Sequence, residues 1–301
     1  MEDVFGSDIM SGPPVQTVAR VPGFAMKTSR QITHPRRRDV LRLGASAAIY
    51  AALTDRWARA ADDAKASENF TFVVVNDIHY FDKRCATWLG ERVVPRINDH
   101  KADFCLIVGD LSEDGTVRQN AEVKDVLKGI NIPLHVVVGN HDYQAANNDR
   151  KPFEDQWPGP LNYQFEHKGW QFIGLDTTQG HAGSKTVIAK ETLAYTKKAV
   201  STLDRNRPTV LFTHFPLGGF LPSRPTNAND LLALFENHNL RAGFNGHFHS
   251  KTERPWGEAL LTTNTCCSFH RANHDFDPRK GYFFCTAKDG KIEREYVRVN
   301  G

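Results

Sequence analysis

Leu134-His135-Val136-Val137-Val138-Gly139-Asn140-His141-Asp142 is the stretch whose reading decides the fold. An apolar, β-branched run that stops at Gly-Asn reads as a buried strand feeding a tight loop. Open α/β sheets place their chemistry on such loops, at the C-terminal ends of strands. Two upstream segments share the design: Phe70 to Val75 runs into Asn76-Asp77-Ile78-His79, and Phe104 to Val108 runs into Gly109-Asp110. Downstream, Thr209 to Phe212 leads to Thr213-His214, and Arg241 to Phe244 leads to Asn245-Gly246-His247-Phe248-His249. Five strand ends therefore carry Asp, Asn and His.

The intervening sequence sets the strands side by side. Thr87 to His100 and Arg118 to Lys128 read as helices between the first three strands, giving a β-α-β-α-β run with parallel strands and right-handed crossovers. Asp142 to Pro160 reads as a polar, aromatic loop. Tyr163 to Glu166 and Trp170 to Leu175 alternate around His167-Lys168-Gly169 as an antiparallel hairpin, and Tyr282 to Ala287 with Lys291 to Val299 do so around Asp289-Gly290. Ala189 to Leu203 reads as a helix turning Leu193, Ala194, Ala199 and Leu203 inward and Lys197 and Lys198 outward, and Asp230 to His238 as a short helix. The fold class is α/β.

Composition limits the function. With 40% apolar and 24% charged residues the chain is of ordinary globular make-up, and it holds no apolar run of the roughly 18 residues that a membrane span needs. Residues 1–60 hold nine of the 38 Lys/Arg and five of the 35 Asp/Glu, which leaves 29 against 30, a net −1, in the remainder. A near-neutral body offers no bulk attraction to nucleic acid or anionic membrane, so a small substrate is expected. Cys85, Cys105, Cys266, Cys267 and Cys285 form no C-x-x-C pair; Cys105 and Cys285 sit in strand-like runs as small buried hydrophobes, and neither a zinc ribbon nor a disulfide framework is indicated.

Residues 1–35 lack periodicity and read as a disordered extension. Residues 36–60 read as a signal peptide. Arg36-Arg37-Arg38 precede the modestly apolar Leu43 to Leu53, and Ala58-Arg59-Ala60 supplies a small-x-small site, so export to the periplasm or outside is expected with cleavage before Ala61. The paired arginines resemble a twin-arginine signal, although arginine replaces the usual serine or threonine before the pair. Met26 makes a better-proportioned start for that leader than Met1. The folded domain then occupies residues 67–301.

Asp77 and His79, two apart in extended chain, share a face and reach one ion; His247 and His249 have the same spacing. Carboxylate oxygen and imidazole nitrogen without thiolate suit Mn, Fe, Zn, Co or Ni rather than calcium, and the ligands are numerous enough for two ions.

Taken in order, D-x-H (Asp77, His79), GD (Gly109, Asp110), GNHD (Gly139 to Asp142), the lone His214 and GHxH (Gly246, His247, His249) resemble the calcineurin-like metallophosphoesterases, over roughly residues 70 to 300. The resemblance implies a four-layer αββα sandwich of two mixed sheets flanked by helices. It implies Asp77, His79 and His249 on one metal, Asn140, His214 and His247 on the other, and Asp110 bridging them. It further implies phosphoester hydrolysis by a hydroxide held between divalent or trivalent ions ~3.5–4 Å apart. His141 would donate a proton to the leaving alkoxide or stabilise phosphoryl charge, with Asp142 orienting the imidazole. The intact D-x-H looks like the cyclic-nucleotide and glycerophosphodiester phosphodiesterases more than the purple acid phosphatases, so a diester is favoured over a monoester. Tyr80, His181, Arg224, His270, Arg271 and His274 follow site-bearing strands and are secondary candidates for substrate contact. Two alternatives stay open: a metal-poor binding scaffold, which would have lost ligands, and a nuclease, which would carry a basic stripe.

Overall fold

The computed structural model describes residues 68–300, so the expected extension, leader and cleavage point lie outside the described residues. Two mixed sheets stack face to face with helices on their outer surfaces. The first has order β11-β10-β1-β2-β3, in which β1 (Phe70–Val75), β2 (Phe104–Val108) and β3 (Leu134–Val137) are parallel and β10 (Gly281–Lys288) runs antiparallel to β1 and to β11 (Lys291–Arg298). The second has order β4-β5-β6-β7-β9-β8. Its parallel centre is β5 (Trp170–Leu175), β6 (Thr209–Thr213), β7 (Leu240–Asn245) and β9 (Ala259–Thr263), with β4 (Tyr163–His167) and β8 (Thr252–Trp256) antiparallel at the edges.

Strands buried on both faces explain the continuous apolar runs. Between the sheets Phe72 stacks on Phe104 at 5.3 Å, and Phe172 and Phe244 meet this pair edge-on at 5.2 and 5.7 Å. Offset and T-shaped ring pairs of this kind stabilise beyond the area they bury. The five cysteines are buried and unpaired, Cys105 and Cys285 within the core.

The helices depart from expectation in instructive ways. The first crossover is α1 (Lys83–Trp88), a π-helical stretch Leu89–Val93 and α2 (Val94–Asp99), where one helix over 87–100 was expected. Pro95 has no N–H for the carbonyl four residues back, and the wider π turn absorbs the break. Asp82 caps α1 by accepting from Arg84 N, which starts the helix earlier than its apolar pattern does. The second crossover, α3 (Val117–Leu127), is capped by Thr116.

The expected 142–160 loop contains α4 (Lys151–Gln156), opened by Pro152 in its first turn. Helix α5 (Lys190–Thr202) buries Thr192, Thr196, Ala199 and Val200, so its inner face is rotated from the expected one and Ala194 is exposed. Thr192 Oγ1 donates to Asp176 O and Thr196 Oγ1 to Thr192 O, which lets two hydroxyls sit inside. Helix α6 is confined to Ala228–Ala233. Among the described residues no helix is long and apolar enough to cross a membrane.

Candidate metal centre

The loops after β1, β2, β3, β6 and β7 meet at one edge of the sandwich. Asp77, His79, Asp110 and His247 all have positive φ, at 52, 49, 53 and 64°. Left-handed backbone at non-glycine residues is costly, and such residues gather where function over-determines the chain. This corrects one expectation: Asp77 and His79 converge because the chain turns at both, not because they share a face of extended strand. Glycine neighbours make room. A Cβ on Gly139 would overlap the Asp110 main-chain nitrogen and carboxylate, and one on Gly109, itself at φ +88°, would lie 2.5 Å from His214 Nδ1.

Three of the four ligand-type histidines are held by the outer ring nitrogen. His214 Nδ1 lies 2.9 Å from Val108 O, His247 Nε2 lies 2.8 Å from Gly183 O, and His249 Nδ1 lies 3.2 Å from Ala272 O. A carbonyl only accepts, so these nitrogens carry the hydrogen and the inner nitrogens present lone pairs. His79 Nδ1 faces the Glu113 carboxylate at 3.1 Å, a close approach whose N–H is not aligned as a hydrogen bond.

Among the described residues three groups of ligand-type atoms form; His79, Glu113 and His141 make one, and the other two share Asp110. Ligand atoms of Asp77, His79, Asp110 and His249 lie within 4.8 Å of one another, as do those of Asp110, His214 and His247. His79 Nε2 is 3.1 Å from His249 Nε2, and His249 Nε2 is 3.3 Å from Asp77 Oδ1. Asn140 Oδ1 is 3.1 Å from His214 Nε2 and 3.0 Å from His247 Nδ1. Asp110 Oδ2 lies 3.3 Å from His214 Nε2 and 3.5 Å from His79 Nε2, while its Oδ1 accepts from His141 N at 2.8 Å. Two carboxylates, four imidazole lone pairs and an amide oxygen, nearly all buried, converge without a donor among them. Nitrogen and oxygen donors converging in this way suit divalent cations, so the residues fit a dinuclear divalent site.

The buried carboxylates and imidazoles shift one another. Burial alone would lower His214, yet the Asp110 charge pushes it up to about 9; His249 rises well above its ordinary value, Asp77 overcoming burial. Burial raises Asp77 and Asp110, but His249 and His214 respectively hold both carboxyls well below the usual range. His79 and His247 are pushed down to about 4 and about 3, chiefly by burial, and so present the neutral imidazole a metal requires.

Asp142 requires a correction. Its Oδ1 accepts from Leu111 N, Ser112 N and Ser112 Oγ, and its Oδ2 from Gly139 N. Burial and then the Asp110 charge push this carboxyl up to about 7. It bolts the GD loop to the GNHD loop rather than orienting His141. The His141 ring is oriented by Glu113 O, 2.7 Å from its Nδ1.

The secondary candidates divide. The His181 ring lies 5.0 Å from that of His141, with Nδ1 3.1 Å from Asn140 O. His270 and Arg271 both contact Glu113, and His274 stacks on His249 at 4.7 Å. Tyr80 is buried in the core, and Arg224 is engaged by Leu217 O and Asn229. Glu113, Gly183 and Cys266 were not foreseen; Lys280 Nζ lies 3.0 Å from Cys266 Sγ. An acidic residue three positions after Asp110 was the one available signal, and loop acids are common.

The family profile described as calcineurin-like phosphoesterase matches residues 70–251. A 3',5'-cyclic adenosine monophosphate phosphodiesterase of Pseudomonas aeruginosa is 25% identical over 252 residues, covering 76% of this chain and 89% of that protein. A glycerophosphodiester phosphodiesterase of Enterobacter lignolyticus is 27% identical over 184 residues, 57% of this chain and 65% of its own. Among solved structures, a dimetal phosphatase of Danio rerio superposes with a TM-score of 0.57 at 14% identity, over 77% of this chain and 98% of that one, a likeness of fold.

Proposed function

The chain belongs to the calcineurin-like phosphoesterase family, and on that premise we propose that it hydrolyses small phosphodiesters at the Asp110-centred site. The observation that carries this reading is the pair of buried Asp/His groups that share Asp110. Asp77, His79 and His249 would hold one ion, Asn140, His214 and His247 the other, with Asp110 between them. Divalent ions there supply Lewis acidity toward the phosphoryl oxygens and bring the ionisation of a water near neutral pH. Manganese, iron or zinc matches the nitrogen and oxygen donors.

The chain's own groups do the rest. His141 is half-buried, its main-chain N–H steadies Asp110, and its Nδ1–H is fixed on Glu113 O, leaving Nε2 to pass a proton to the departing alkoxide. A diester is favoured over a monoester because the intact D-x-H is the pattern of the diesterases, and the relatives named above act on cyclic nucleotide and glycerophosphodiester. A binding scaffold would have lost ligand positions, and every one is filled. Turnover of bis-(p-nitrophenyl) phosphate against p-nitrophenyl phosphate, read alongside metal content, tests the proposal. A metal-free chain or a pure monoesterase would refute it.

We also propose that the enzyme is exported through the twin-arginine-like leader of residues 36–60. Changing Arg37 and Arg38 together to Lys keeps the charge and should hold the precursor in the cytoplasm; normal export would sink the assignment.

A further inference from the structure

We propose that Glu113, clamped by Arg271, is the positioning residue that sets the bite between His79 and His249 and so controls the affinity of that one metal position. The inference rests on the reading of His79 and His249 as ligands of one ion.

Three of the four histidines hang their outer nitrogen on a main-chain carbonyl; behind the outer nitrogen of His79 stands a side chain instead, the Glu113 carboxylate, 3.1 Å away and out of line with the N–H. A carboxylate behind an imidazole fixes the ring and raises the basicity of its inner nitrogen, and losing such a partner typically weakens metal binding by ~10–100-fold. Glu113 stands on a rigid base. Its N–H donates to Tyr80 O at 3.0 Å, and Asp142 holds the two preceding N–H groups.

Its carboxylate reaches across the site as well. Arg271 grips both oxygens, with Nε 2.9 Å from Oε2 and Nη2 on Oε1, and His270 Nε2 is 3.1 Å from Oε2. A two-point arginine clamp fixes direction as well as distance. Arg271 is followed by Ala272, whose carbonyl holds His249 Nδ1, and His274 N donates to His249 O at 3.0 Å. The Glu113–Arg271 pair therefore joins the segment that orients His79 to the segment that orients His249, and their facing nitrogens are 3.1 Å apart. The other metal position has no such brace: His214 and His247 depend on the main chain. His141 lies within 4.8 Å of the same carboxylate, but its ring is held by the Glu113 carbonyl, which every substitution keeps.

The test is manganese titration of purified, metal-stripped protein by calorimetry, on wild type, Glu113→Gln and His79→Ala. Glu113→Gln should keep one ion at wild-type affinity and bind the other ~10–100-fold more weakly. Saturating Mn²⁺ should restore turnover with an unchanged dependence on leaving-group acidity. Arg271→Gln, which leaves the carboxylate in place, should weaken the same position by a smaller factor and serves if Glu113→Gln does not fold. Wild-type affinity for both ions in Glu113→Gln, or equal weakening of both, overturns the brace while His79→Ala still loses one ion. If His79→Ala itself keeps both ions, the ligand reading fails and the brace with it.

Discussion

Gly139→Ala tests whether the glycine of the GNHD loop is there to let Asp110 into the centre. Gly139 has ordinary extended backbone, φ −109° and ψ 172°, so alanine meets no conformational barrier and the effect is purely steric. The added Cβ would overlap Asp110 N and its carboxylate, neither of which is the free end of a flexible side chain. Relieving the overlap moves Asp110 by on the order of 1 Å, and misplacement of that size near the chemistry costs ~10²-fold in rate. Overpacking costs about 1–3 kcal/mol, and the stiffer unfolded chain returns about 0.4–1 kcal/mol, for a net loss near 1–2 kcal/mol. In a domain this size that lowers Tm by about 2–8 °C. The assay pairs thermal melting and turnover with Gly90→Ala as control, because a Cβ there meets nothing within 4 Å and alanine should be neutral or stabilising. A Gly139→Ala enzyme with wild-type turnover and two tightly bound metals would refute the reasoning.

Two further outcomes follow from the same structure. His141→Ala should lose ~10²–10⁴-fold in kcat, and less with an acidic leaving group, while metal content stays at the wild-type level; metal lost in step with activity would make His141 a ligand. His135 stacks on Phe165 at 3.6 Å, and burial, with a smaller push from His167, lowers it to about 4. Between pH 4 and 6.5 the folded state then binds fewer protons than the unfolded chain, so stability present above pH 6.5 is lost as pH falls toward 4. His135 is half-exposed and solvent screening limits the effect to about 1 kcal/mol. Wild type should therefore lose about 2–4 °C more than His135→Phe between pH 7.5 and 4.5 in melting experiments, and equal losses would contradict the assignment.

The strand ends were legible because buried parallel strands are continuous apolar runs and the polar residues closing them have no packing role. The edge strand β8 and its inner neighbour β9 were not foreseen. Thr252-Glu253-Arg254-Pro255-Trp256 is half exposed, charged and interrupted by a proline that only an edge tolerates. The inner face of α5 was misjudged because hydrophobicity cannot see that Thr192 and Thr196 find main-chain acceptors inside. Ligand-type residues could be named from motif order, but not the atoms behind them. Asp142 sits beside His141 in sequence yet serves Leu111, Ser112 and Gly139, whereas Glu113, 28 positions away, supplies the acceptor for the His141 ring. Contacts of this kind follow from how two loops cross, which local sequence does not encode.

The central claim is that Asp110 joins two metal ions. Metal stoichiometry on purified wild type, Asp110→Asn and His249→Ala tests it most directly. A neutral amide at position 110 leaves two dications facing each other with a poorer shared ligand, whereas loss of His249 removes one neutral ligand that water can replace. The account predicts two ions per wild-type chain, at most one in Asp110→Asn with nearly all activity gone, and partial rescue of His249→Ala by added Mn²⁺. Two tightly bound ions in Asp110→Asn would contradict it.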